Sequence, residues 1–238
     1  MSNASKYQVV ITMQQATADM LNQNGFLLYG FKAVSGPPSG KPVVWFATSD
    51  YGLNTKVQWS EFYKVFTSRN TDVDFDTQIS VDNDYPASLS DVLTVDSPTG
   101  TGTVADGGPE DAISVVNATS SPFSCGISQL QSDGNYAPLA VFPLFGNSED
   151  EMVPVEKVFL MFASQTVDTG TVIEKSFSAG ILIDLTDAPQ DASGALTRTV
   201  SFDISTSWSD GHATWGTVLP PNTDLVPLLI SGQVPASV

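Results

Sequence analysis

The chain has 238 residues, and 26 acidic side chains against nine Lys plus Arg set its formal net charge at −17. Charged residues make up 15% and hydrophobic residues 41%, so core material is ample and charge is sparse beside the roughly 25% of an ordinary soluble domain. The basic residues are scattered singly, which excludes a phosphate-binding stripe and with it nucleic acid, and also general attraction to anionic lipid.

One cysteine, Cys125, excludes an internal disulfide framework, and one histidine, His212, excludes zinc sites built on two or three histidines. The first ten residues lack the basic and apolar regions of a secretory signal. No window approaches the roughly 20 apolar residues of a membrane-spanning helix. The expectation is a protein made soluble in the cytoplasm without a signal peptide and released, if at all, by another route.

Thr12 is placed to cap a helix over residues 13–24, with Met13, Ala16, Met20 and Leu21 on one face and Gly25 at C′. After it come short segments with strand character: 26–34, 43–47 and an aromatic run at 57–67 holding Trp59, Phe62, Tyr63 and Phe66. Between them, Tyr51 falls in a turn, where exposure is expected.

Strict alternation at 72–82 reads as a half-buried strand, with Val73, Phe75, Thr77, Ile79 and Val81 inward and aspartates outward. Asp72, Asp74 and Asp76 also have the 1, 3, 5 spacing of a calcium loop. Thr77 replaces the turn glycine, however, and Asn83 replaces the bidentate acid. Calcium is therefore a weak candidate cofactor, and the solvated acidic face explains the same spacing.

Residues 97–109 read as the most flexible stretch. Further strands are expected at 113–116, 139–144, 158–163, 171–177, 181–185 and 199–204. Asn117-Ala118-Thr119, like Asn3-Ala4-Ser5, matches the glycosylation acceptor pattern. Cys125 could form a nucleophilic pair with His212, against the reading of a free cysteine as a small buried hydrophobe. No Gly-x-Ser-x-Gly elbow or other strong catalytic motif is present, so no enzyme is expected.

The run Ser207-Trp208-Ser209-Asp210-Gly211-His212-Ala213-Thr214-Trp215 joins two tryptophans, an aspartate and the histidine around a turn. Aromatic faces beside Asp and hydroxyls suit a sugar ring or a quaternary-ammonium head group. Trp208, Asp210, His212 and Trp215, with Tyr51, are thus the candidate ligand-binding residues. The competing reading makes Trp208 and Trp215 a core hairpin pair.

The pattern predicts an all-β fold: a single-domain antiparallel β-sandwich, jelly-roll-like, of about ten strands with one short N-terminal helix. The functional expectation is a non-enzymatic, membrane-active binding protein, toxin- or defence-like. It would be cytolytic or pore-forming, recognise a lipid head group or glycan on a target surface, and be able to form a homo-oligomer. Alternatives are a lectin-like carbohydrate binder without pore formation and a self-assembling structural protein.

Overall fold

A computed structural model of the chain describes residues 5–230; Asn3 and Ala4 of the first acceptor pattern lie outside them. In chain order the elements begin β1 (Lys6–Thr12), α1 (Gln15–Gln23), β2 (Leu27–Ser35), β3 (Lys41–Pro42), β4 (Phe46–Thr48) and β5 (Asn54–Ser68). They continue with β6 (Asn83–Ala87), β7 (Asp91–Val95), β8 (Gly102–Asp106), β9 (Ile113–Asn117), β10 (Phe123–Gln131) and β11 (Tyr136–Leu144). The last are β12 (Glu149–Ala163), β13 (Gly180–Asp184), β14 (Leu196–Asp203), β15 (Ser207–Ser209), β16 (Gly216–Leu219) and α2 (Val226–Leu229).

The fold is all-β, built on two curled eight-stranded sheets. One runs β15-β14-β1-β5-β10-β11-β3, with β6 also on β5. The other runs β16-β13-β12-β9-β7-β8, with β2 on β12 and β4 on β2. Sixteen strands among the described residues exceed the expected ten, because short edge pieces such as β3, β4 and β15 are too brief to show a hydrophobic period. The ladders are mostly antiparallel, but β1 pairs β14 and β7 pairs β9 in parallel.

Three sequence expectations are overturned. Residues 72–82 form no strand; they run as an irregular segment with a turn at Phe75-Asp76. Val73 and Ile79 are buried, yet Phe75 is 56% exposed. Residues 171–177 likewise form no strand and are tied down through isolated bridges. Residues 97–109, read as flexible, contribute β8, whose ladder to β7 is satisfied without any apolar pattern.

The helix starts at Gln15, later than expected, because Thr12 is the last residue of β1 and its hydroxyl donates to the Val200 carbonyl. That start rotates the buried face to Thr17, Ala18 and Leu21 and leaves Met20 exposed. The C-terminus follows expectation. Gly25 takes φ +66°, its N–H bonds the Asn22 carbonyl, and the Phe26 N–H bonds that of Leu21, which is the Schellman arrangement.

The largest apolar cluster draws on both sheets, joining Val9, Val57 and Ile127 of the first to Leu28, Val158 and Leu160 of the second. The opposite face of β2 supplies Tyr29, Phe31 and Ala33 to a second cluster, which Leu225, Leu228 and Leu229 cover. Cover on both faces explains why β2 reads as a near-continuous apolar run. It also makes the exception in that run, Lys32, informative.

Candidate functional site

The structure brings Tyr51 and Trp208 together, but in the core. The Trp208 ring stacks on Phe162 at 5.4 Å, and Tyr51 meets the same Phe162 edge-on at 5.1 Å. Trp208 is 3% exposed and Tyr51 8%. The turn holding Tyr51 folds inward because its hydroxyl donates to the Phe26 carbonyl at 2.7 Å. The expectation of an exposed Tyr51 is therefore wrong.

Trp208 and Trp215 do not form a hairpin pair. β15 joins β14 in one sheet and β16 joins β13 in the other, so Ser207–Trp215 is a crossover between sheets. Trp215 is half-buried beneath the Arg198 guanidinium, 4.9 Å from its ring. Asp210 accepts the His212 N–H at 3.0 Å, while its Oδ2 is buried without a partner among the described residues. His212 is exposed at φ +67°. The five residues thus form no common exposed rim.

Asp72, Asp74 and Asp76 are all exposed on the irregular segment, with Asp72 accepting the Asp74 N–H. Among the described residues no group of three His, Cys, Asp or Glu side chains is placed to hold a metal ion. Cys125 is fully buried on β10, its thiol 3.8 Å from the Asp150 carboxylate on β12. Burial pushes the thiol well above its ordinary range, helped by the Asp150 charge, the opposite of what a nucleophile requires. The Asn117 amide is committed to the Ser121 and Phe145 carbonyls in a buried turn, so it offers no accessible glycosylation nitrogen.

The most unusual chemistry is elsewhere, where the ladders of both sheets are irregular. The β12–β2 register slips between Val155 and Val158, and the β10–β5 register between Gln129 and Gln131. Such irregularities redirect side chains. The first places Glu156 against Lys32, which lies on the same face of β2 as Leu28 and Val34. Lys32 has 0% exposure, and its Nζ pairs with Glu156 Oε2 at 3.0 Å. The same ammonium lies 4.6 Å from the Trp59 ring centroid, a cation–π contact strengthened by desolvation.

Around that pair an aromatic wall is assembled. Tyr7 stacks on Trp59 at 5.6 Å and 10°, and Trp45 meets Trp59 edge-on at 5.5 Å. The Tyr7 hydroxyl donates to Glu61 at 3.0 Å. Burial, then the Glu156 and Glu61 charges, push the hydroxyls of Tyr7 and Tyr63 far above the ordinary tyrosine value. Among the described residues the indole nitrogens of Trp45 and Trp59 and both ends of the Gln129 amide find no hydrogen-bond partner, each at a cost of about 1–3 kcal/mol.

Two clefts, each of about 350 Å³, open onto this wall on either side of the β10–β11 turn. The first is bounded by β4 of one sheet and β5 of the other, with Trp45, Phe46, Asp50 and Asp133 on its walls. Phe46 is seated there because Gly30 has no side chain; a Cβ on it would fall 2.1 Å from the Phe46 ring. The second is lined by Tyr7, Trp59, Lys6 and Ser193. Gln58, Gln131 and Ser132 belong to both. Gln131 is oriented by donating to the Trp45 carbonyl at 2.7 Å, and Gln58 by donating to Gln8 at 2.7 Å.

This site was missed in the sequence because its members are spread from residue 6 to residue 193. The readable signal was Lys32, a charge inside an apolar strand, together with glutamines at 58, 129 and 131 beside core positions. No protein-family model, curated protein or solved structure matches the chain.

Proposed function

We propose that the chain is a non-enzymatic, lectin-like binding protein that takes an uncharged glycan in the clefts beside the β10–β11 turn, on a single-domain jelly-roll-like sandwich. The sandwich reading rests on the apolar cluster shared by both sheets and on the Cys125–Asp150 contact between them. The functional reading rests on the composition of the clefts. Side-chain amides, hydroxyls and carboxylates converge at the edges of aromatic rings, the chemistry that orients a polyhydroxylated ligand by hydrogen bonds.

A lipid-inserting surface calls for a contiguous apolar patch. Among the described residues the large exposed apolar side chains are instead spread over many elements, among them Met20 on α1, Phe62 on β5, Phe75 and Val81 in the 72–82 segment, Phe145 beyond β11 and Val218 on β16. This favours the lectin-like reading over the membrane-active one.

A glycan array probed with the full chain, in parallel with dye release from phosphatidylcholine, sphingomyelin and phosphatidylserine vesicles, tests the choice. Saccharide binding without leakage is the expected result, and Gln131→Ala weakens it while His212→Ala does not. Leakage without saccharide binding overturns the proposal in favour of a membrane-active protein.

A further inference from the structure

The two clefts share their dividing wall, and that sharing carries a conclusion about ligand length. Gln58, Gln131 and Ser132 line both, so the two clefts meet at these three side chains. Each cleft has similar volume, and each has one buried tryptophan in its wall, Trp45 in the first and Trp59 in the second, whose indole N–H lacks a partner among the described residues.

The amide nitrogens of Gln58 and Gln131 are already committed to Gln8 and to the Trp45 carbonyl. Among the described residues no hydrogen bond reaches their oxygens, which leaves two oriented acceptors for hydroxyl donors at the junction. Charge narrows the class further. Lys6 and Lys56 offset Asp50 and Asp133 locally, but the net charge of −17 repels an anionic ligand at long range.

We propose that the ligand is an uncharged oligosaccharide of at least two units, one unit in each cleft, lying across Gln58 and Gln131. This rests on the glycan reading above. It excludes a monosaccharide as the full ligand, and a sialylated or sulfated glycan as the preferred one.

The test uses the full chain and the mono-, di-, tri- and tetrasaccharide series of glucose, galactose, mannose and N-acetylglucosamine, with a sialylated trisaccharide as the charged probe. Affinity is followed by calorimetry and by tryptophan fluorescence. For the sugar that binds, the disaccharide binds at least tenfold tighter than the monosaccharide (1.4 kcal/mol), and the tri- and tetrasaccharides add little. Gln131→Ala and Gln58→Ala each remove that gain; both side chains are at least partly exposed, so the variants keep the wild-type circular dichroism.

Equal affinity for mono- and disaccharide overturns the two-unit inference and leaves the glycan reading standing. Tightest binding of the sialylated probe overturns the charge selection. Binding of no saccharide overturns the glycan reading itself. Binding unchanged in both Gln variants places the ligand elsewhere and overturns the inference.

Discussion

Replacing Glu156 by leucine isolates the ion pair packed against the Trp59 ring of the site. Lys32 is fully buried, Glu156 is its carboxylate partner at 3.0 Å, and Trp59 supplies only a ring face. Removing one member of a buried pair leaves the other charge uncompensated, which costs about 3–5 kcal/mol. With a urea m-value of about 2.5 kcal/mol/M, a loss of about 4 kcal/mol lowers the denaturation midpoint by about 1.6 M.

Lys32→Met is milder, because Glu156 retains 15% side-chain exposure and regains water. The double variant, Lys32→Met with Glu156→Leu, returns close to wild type, since an apolar replacement of a buried pair is neutral or stabilising. Urea unfolding of the four proteins closes a double-mutant cycle. A Glu156→Leu loss below about 1 kcal/mol, or strictly additive single effects, refutes the reasoning that the two charges depend on each other.

Asp150 makes a pH-dependent prediction of opposite sign to ordinary acid unfolding. Burial raises its carboxyl above the usual range, and the Cys125 thiol only partly opposes this. The stability it contributes is full below that range and lost as pH rises through the raised value. Asp150→Asn therefore stabilises the chain at pH 7 by on the order of 1 kcal/mol, with no difference at low pH; destabilisation at pH 7 in urea unfolding would contradict this.

At the alkaline end, burial raises Tyr7, Tyr29, Tyr51 and Tyr63, four of the six tyrosines. Stability falls above about pH 10 as the unfolded chain ionises first. Tyrosinate absorbance and circular dichroism should then change together, and reversible ionisation of all six with the fold intact would count against it. Trp208→Ala costs about 3–5 kcal/mol as a core truncation, whereas His212→Ala stays within about 0.5 kcal/mol. Equal thermal shifts would mean that the crossover is not divided between core and surface in this way.

The residues of β2, β5, β11, β13 and the end of β12 alternate or run apolar because they face the core clusters, so the all-β class was legible in composition and period alone. So was the helix stop at Gly25, which depends on local backbone conformation. The strand at 72–82 was misread for a physical reason. Period two reports only that alternate residues meet different environments; backbone pairing needs a neighbouring strand, and those residues meet only a single isolated bridge, Gln78 to Thr171.

Tyr51 and Trp208 carry the same lesson for the site. A turn residue and a tryptophan between serines look exposed in one dimension, and both are drawn into the core by Phe162, more than a hundred residues from Tyr51. The Lys32–Glu156 pair spans 124 positions and depends on a register slip in β12. Its meeting with Trp59 and Tyr7 depends on which strands become neighbours. The sequence determined the chemistry available and its local periods. Tertiary structure alone decided which groups lost their water together, because desolvation and register are properties of packed elements.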